Sequence, residues 1–199
     1  MYKRQVEHIA ALRTIPYLTV LRPADNKEVA VSWMMALEKQ DGPTALILTR
    51  QKVQNIQREE NFNIEDVKKG GYVISKEKKE NPDIILIASG SEVQLAMESK
   101  KLLEEKNIFT RVISMPSLET FNCQPNEYKH KLLSKDAKAI VVIEAGVSFG
   151  WKAISYLPML VIGIDRFGAS APTNVLADKF GFTADLVVEK IFRFIKDLN

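Results

Sequence analysis

The 199-residue chain has a single cysteine, Cys123, so no internal disulfide can form and a reducing compartment is expected. Its two histidines, His8 and His130, stand alone in the sequence; unpaired, they make neither a metal site nor a triad, and they read as solvated or helix-terminal. No apolar run approaches the roughly 20 residues that a membrane-spanning helix needs. The opening MYKRQVEHIA lacks the apolar core of a signal peptide. Charge of one sign is lacking too. The formal net charge is +3, and lysines alternate with glutamates in KEKKE (76–80) and MESKKLLEEK (97–106), which leaves no basic stripe for nucleic acid. The expectation is a soluble, cytoplasmic protein with neither nucleic acid nor membrane as a partner.

What is present is an ordinary globular composition, 46% hydrophobic and 27% charged, with length for one sizeable domain or for one domain and part of another. A short helix over about 6–13 precedes a strand at Tyr17–Leu21, which Pro23 stops because proline cannot donate to a ladder. Asp25 and Glu28 have capping-box spacing, and Val29, Trp33 and Leu37, with Met34 beside them, predict a helix whose apolar stripe runs to Gln40. In DGPTALILTRQ (41–51) the continuous run Ala45–Leu48 predicts a strand covered on both faces. From Lys52 to about Lys69 the chain turns polar without sustained periodicity, as a surface linker does.

Beyond Gly70–Ile74 the apolar runs alternate with helical patterns. Strands are expected at 83–88, 109–114, 139–143 and 159–164, and helices at 92–106, 126–133, 149–157 and 184–196. This alternation predicts an α/β fold with a mostly parallel sheet and helices on both faces, preceded by a partial α/β domain. The last helix has the clearest pattern, with Thr183 placed to cap it and Ala184, Val187, Val188, Ile191, Phe194 and Ile195 on one face.

In such sheets ligands bind beyond the carboxyl ends of the strands, so the residues after each apolar run are the candidates. Arg50, in Thr49-Arg50-Gln51, can present a planar fork to a phosphate, or simply pair with a nearby surface carboxylate. Ser89-Gly90-Ser91 opens a helix, with Gln94 at capping-box distance from Ser91; such an end suits an anion or a plain cap. Glu144 follows the strand at 139–143, where a carboxylate can act as acid or base. With no second titratable group in view, a hydrogen-bonded structural glutamate is expected. Phe167-Gly168-Ala169-Ser170-Ala171-Pro172 reads as a fixed turn or an interface.

Several stretches taken together resemble the C-terminal part of transketolase: VEHIAALRTIP, LRPAD, QDGPTALILTRQ, GGYVI, ASGSEV, RVISMPS, VVIEAG, and FGASAP followed by FGFT. Other thiamine-dependent enzymes, such as deoxyxylulose-phosphate synthase and the β subunits of 2-oxo acid dehydrogenases, differ at LTRQ and FGASAP. The resemblance implies an enzyme of three α/β domains that uses thiamine diphosphate and a divalent metal, Mg2+ or Ca2+, to move two-carbon ketol units between phosphorylated sugars as a homodimer. Residues 1–58 resemble the second half of the pyrimidine-binding domain, 59–69 a linker, and 70–199 the C-terminal domain. The ligands of the cofactor would then lie largely outside this chain, which is not expected to catalyse alone.

On this resemblance Arg50 falls on the arginine of an LSRQ-like motif and is implied to bind the sugar phosphate. The family's donor-orienting histidine has its counterpart at Lys3, and the first five residues read as a junction or foreign sequence. Gly90, Ser91 and Glu144 receive no catalytic role, with a regulatory anion at Ser91 kept as an alternative. Two further readings stay open: a non-catalytic interaction or regulatory module, and a subunit of a split thiamine-dependent enzyme.

Overall fold

Short apolar runs ended by proline or glycine become the strands. In the computed structural model, which describes residues 6–198, the chain opens with α1 (His8–Arg13), β1 (Thr19–Leu21), α2 (Asn26–Glu38) and β2 (Thr44–Leu46). β1 and β2 pair in parallel, with Thr19 opposite Thr44 and Leu21 opposite Leu46. Lys3, and with it the comparison to a donor-orienting histidine, lies outside the described residues.

A 3-10 turn (Ile64–Lys69) leads into β3 (Tyr72–Ser75), followed by β4 (Ile84–Ala88), α3 (Glu92–Glu105), β5 (Thr110–Ser114), α4 (Leu118–Asn122), α5 (Asn126–Leu132), β6 (Ala139–Ile143), β7 (Met159–Ile162), α6 (Thr173–Phe180) and α7 (Ala184–Leu198). Among the described residues these strands form one sheet in the order β3-β5-β4-β6-β7, parallel except for β3 at one edge. β4 sits at its centre. Ile84–Ala88 leave no polar face, and every one of them is buried.

Alternation along the strands divides the core between two faces. Ile84, Leu86, Val141 and Ile143 pack with Val93, Ala96 and Leu103 of α3 and with Val187, Val188 and Ile191 of α7. Ile85, Ile87, Ile140 and Val142 pack on the other side with Leu118 and Phe121 of α4, Leu132 of α5 and the fully buried Trp151. Helices thus cover both faces, as the alternating pattern predicts. Each fully buried large side chain contributes roughly 1.5–3 kcal/mol.

Several expectations are corrected. The segment Ala45–Leu48 is not covered on both faces: β2 is half-buried throughout and Leu48 is 51% exposed, because among the described residues only β1 pairs with β2. The apolar stripe of α2 is turned the wrong way. Trp33, Met34 and Leu37 are exposed at 53%, 45% and 80%, while Glu28, Val31 and Ser32 face inward. Asp25 does cap α2, accepting from the Glu28 N–H at 3.1 Å, but Glu28 reaches back to the Ala24 N–H at 2.7 Å and not to that of Asp25. The expected strand at Tyr17 starts at Thr19, since Tyr17 is held at φ +64°. The helix expected at 149–157 shortens to a 3-10 turn, Trp151–Ile154, which Gly150 enters at φ +90°. α4 and α6 arise where no helix is expected; five and eight residues give too little periodicity to recognise. On α7, Phe194 and Ile195 are only half-buried.

The contrast between two leucines is directly testable. Leu86→Ala, in a fully buried strand, is expected to lower the stability measured by urea unfolding by about 2–5 kcal/mol, whereas Leu37→Ala is expected to change it by less than about 0.5 kcal/mol.

Candidate functional site

Beyond the carboxyl ends of β1 and β2 lies a cavity of about 220 Å³, whose lining includes His8, Leu12, Arg22, Ile47, Thr49 and Arg50. Arg50 stands exposed on its rim, and its side chain has no hydrogen bond or ion pair among the described residues. The surface ion pair that would have explained it is not formed. Neighbouring groups are pinned: the Gln51 N–H donates to Thr49 Oγ1 at 3.2 Å, and Gln51 Nε2 donates to Thr173 Oγ1 at 2.7 Å. That second bond joins the loop after β2 to the start of α6. His8, exposed as expected, shares the rim with Arg50.

Beneath the cavity the other arginine of its lining is buried. Arg22, 1% exposed, donates from Nη1 to the Ser89 carbonyl and to Ser89 Oγ, both at 2.8 Å, and pairs through Nη2 with Glu92 Oε2 at 2.5 Å. Glu92 Oε2 also accepts from the Ala145 N–H at 3.1 Å. Gly90, at φ +58°, lets Arg22 lie over it: a Cβ there would meet the Arg22 side chain at 3.0 Å. Ser91 does not cap α3, because its hydroxyl donates to Glu92 Oε1 at 2.8 Å, and the expected Ser91–Gln94 box is replaced by a Gln94–Glu98 bond at 3.0 Å. The carboxylate of Glu92 thus sits at this helix opening, held by Ser91, Arg22 and the Ala145 N–H.

Glu144 is the hydrogen-bonded glutamate expected from the sequence, and its titratable partner is Arg13. Arg13 donates from Nη1 to Oε2 and from Nη2 to Oε1, both at 2.8 Å. Ser89 Oγ donates to Oε1 at 2.6 Å and Trp151 Nε1 to Oε2 at 2.9 Å. Burial alone pushes this carboxyl up; Arg13, then Arg22 and the Ser89 hydroxyl outweigh it and hold the group at about 2, against an ordinary 4.5.

A second buried cluster lies on the other side of α2's first turn. Arg58 pairs with Asp25 at 2.6 Å and donates to Tyr72 Oη at 2.9 Å, while Glu28 accepts from Tyr72 Oη at 2.8 Å and from Ser114 Oγ at 2.6 Å. Burial raises the Glu28 carboxyl, whereas for Asp25 the bonds from Arg58 overcome burial and lower it. Arg13, Arg22 and Arg58 are the residues that sequence reasoning missed. The available signal was indirect: Glu92 and Glu144, set among apolar runs, require cations that their own segments do not supply.

The remaining candidates do not join the cavity's chemistry. His130 is exposed on α5, and Phe167 in the FGASAP turn is 89% exposed. A larger cavity of about 530 Å³ runs past β3, but Arg58, Lys69 and Arg111 in its lining are already paired with Asp25, Asp66 and Glu77. Among the described residues no three metal-ligating side chains gather, and the lining of the Arg50 cavity holds no carboxylate. The residues present do not fit a metal-diphosphate group.

The Glu144 cluster predicts a pH dependence with a definite sign. Because the folded carboxyl sits near 2 and the unfolded one near 4.5, its contribution of about 3 kcal/mol is complete above pH 4.5 and is lost as pH falls toward 2. Glu144→Gln leaves two buried arginines facing a neutral group and is expected to cost about 3–5 kcal/mol at pH 7. Urea unfolding of both proteins from pH 7 to pH 2 should show that difference shrinking across the window.

Two family models match the chain: "Transketolase, pyrimidine binding domain" over residues 3–55, beginning three residues before the Val6 start read from the motifs, and "Transketolase-like TK C-terminal domain" over residues 70–183. The transketolases of Bacillus subtilis and Aquifex aeolicus are each 46% identical over 94% of this chain. The chain spans 28% and 27% of their lengths. Among solved structures, transketolases from Pichia stipitis and Leishmania mexicana superpose with TM-scores of 0.86 and 0.85 at 34% and 36% identity, covering 96% and 99% of this chain and 27% and 30% of theirs. A structure described as a split gene transketolase, inactive beta4 tetramer, matches at 25% identity with a TM-score of 0.76, covering 96% of this chain and 61% of that one. With the Arg13–Glu144 and Arg22–Glu92 pairs, the arginine-rimmed cavity and the sheet order all set in these two matched regions, the chain belongs to the transketolase family.

Proposed function

We propose that this chain is the C-terminal portion of a transketolase, and that Arg50 is its contact to the phosphate of a sugar substrate. The observation that supports this reading is the guanidinium of Arg50, unpaired among the described residues, on a cavity rim beyond the carboxyl ends of two parallel strands. A free planar fork there offers two parallel N–H bonds to a phosphoryl group, each contributing roughly 1.5–3 kcal/mol. Residues 1–58 then belong to the pyrimidine-binding domain, 59–69 link, and 70–199 form the C-terminal domain.

On this proposal the intact enzyme is a cytoplasmic homodimer that transfers two-carbon ketol units between phosphorylated sugars. It uses thiamine diphosphate with Mg2+ or Ca2+. No step through the cofactor is derived from this chain, whose residues do not fit the metal-diphosphate group. Arg50 binds and orients. A second reading, a subunit of a split enzyme, is favoured by the similarity to the split-gene structure, of which this chain covers 61%.

Ketol transfer from xylulose 5-phosphate to ribose 5-phosphate, with thiamine diphosphate and Mg2+ added, should be undetectable for the chain alone. It should appear when the rest of a transketolase polypeptide is supplied. In that assembly Arg50→Ala is expected to raise KM for the phosphorylated acceptor about 10–100-fold and to leave KM for an unphosphorylated aldehyde unchanged. Turnover by the chain alone, or equal losses on both acceptors, would refute the assignment.

A further inference from the structure

The loop that carries Arg50 is held at few points. Ile47 is fixed by its N–H, which donates to the Leu21 carbonyl at 2.8 Å, and the next fixed point is Ile56, whose N–H donates to Asp25 Oδ2 at 3.1 Å. Between them, among the described residues, one hydrogen bond leaves the segment: Gln51 Nε2 donates to Thr173 Oγ1 at 2.7 Å. The Gln51 N–H turns back to Thr49 Oγ1 inside the loop. Arg50 and every residue from Gln51 to Asn55 are exposed. So thinly bonded a stretch lies at the low-stability end of a fold.

The far end of that one bond is anchored. Thr173 opens α6, directly after the proline of the FGASAP turn. α6 sinks Leu176, 2% exposed, into the cluster that holds Val187 and Ile191 of α7, and Lys190 of α7 donates to the Phe180 and Gly181 carbonyls at 3.4 and 3.3 Å, fixing the end of α6. Thr173 therefore belongs to the rigid body built on the larger sheet. Among the described residues nothing after Gln51 lines the Arg50 cavity, so this bond is the way in which that body reaches the residue beside Arg50.

We propose that Gln51 and Thr173 are positioning residues for the phosphate of the sugar substrate. Their bond latches the Arg50 loop to α6 and preorganises the guanidinium, which leaves less ordering to be done when the phosphate binds. The proposal rests on the reading of Arg50 as the phosphate contact. The rival account, in which Gln51 touches the phosphate itself, needs the donor that Thr173 now engages, because Gln51 Oε1 is an acceptor, as phosphate oxygens are.

The test has two arms, both on the full chain. In the free chain, Thr173→Val removes the hydroxyl at an exposed position, and nitrogen-15 relaxation should show the order parameters of the Arg50 and Gln51 amides falling from about 0.8 to below about 0.6, while Leu176 keeps its own. In the assembly with the rest of a transketolase polypeptide, the same variant should raise the ratio of KM for ribose 5-phosphate to KM for an unphosphorylated aldehyde about 3–10-fold, with the loss in KM and not in kcat. Thr173→Ser, which keeps the hydroxyl, should restore the ratio. Gln51→Ala should match Thr173→Val, and the double variant should lose no more than either, as two ends of one bond do.

The latch is overturned if loop order is the same with and without the Thr173 hydroxyl, if both acceptors suffer equally, or if serine fails to rescue. A loss in Gln51→Ala that Thr173→Val does not share also overturns it, since Gln51 then acts on the substrate directly. Arg50→Ala separates the two readings. If it leaves the KM ratio unchanged, the phosphate assignment fails and the positioning role with it; if it raises the ratio and Thr173→Val does not, the latch alone fails.

Discussion

The bidentate pair between Arg13 and Glu144 joins groups 131 residues apart and fixes where the first segment of the chain sits on the sheet. Taking both charges out of water costs several kcal/mol per ion, and their attraction offsets this only where the remaining polar valences are filled. Here each carboxylate oxygen takes one guanidinium nitrogen and one more donor, Ser89 Oγ on Oε1 and Trp151 Nε1 on Oε2. The Arg13 guanidinium also lies 5.1 Å from the centre of the Trp151 ring. Geometry so complete tolerates little sliding. An apolar seam of equal area would hold the pieces together with less control over their register.

From that point the placement passes along the backbone to Arg50. The Arg22 N–H donates to the Pro116 carbonyl at 2.8 Å, and the Arg22 carbonyl accepts from the Gly90 N–H at 2.9 Å, so the end of β1 is tied to the loops after β5 and β4. β2 pairs with β1, and Arg50 follows β2. The Asp25–Arg58 and Glu28–Tyr72 bonds hold the other side of α2's first turn. Two polar clusters thus bracket one short strand pair. The rim arginine takes its position from arginines whose side chains are largely buried.

What could be read from the sequence follows from how local each signal is. β4, β6 and α7 were legible because a continuous apolar run or a helical stripe, buried where it is found, settles its own surroundings. Arg50 was legible because a charge directly after an apolar run is anomalous within a few residues. Arg22 gave no such sign: beside Pro23 it read as a strand stop, and its partners Ser89 and Glu92 are about seventy residues away. Arg58 is hidden in a stretch whose polarity is that of a solvated linker, although its side chain is 2% exposed. For α2 and β2 the sequence pattern matches the element formed but not its burial. Periodicity says which face is apolar; it does not say whether this chain supplies the cover.

That distinction also explains how a chain can be densely buried around Glu144 and open around Arg50. The C-terminal sheet closes its own balance, with β4 and β6 fully buried and helices on both faces. The β1-α2-β2 unit does not, and is held in place chiefly from below, by charge clusters anchored in that sheet. The finished sheet supplies rigidity, and the Arg13–Glu144 and Arg22–Glu92 pairs carry it to the β1-α2-β2 unit. The surface left over, meanwhile, keeps its apolar residues and its strand edge exposed among the described residues. Arg50 lies between these two regimes, on a loop whose root is fixed by β1 and whose tip is tied to α6 only through the Gln51–Thr173 bond. The Arg50 guanidinium can bind a phosphate but, always protonated, cannot take a proton, and the cavity lining brings it no carboxylate, so on the proposed reading acid–base work beside it falls to His8 on the same rim or to groups of another polypeptide.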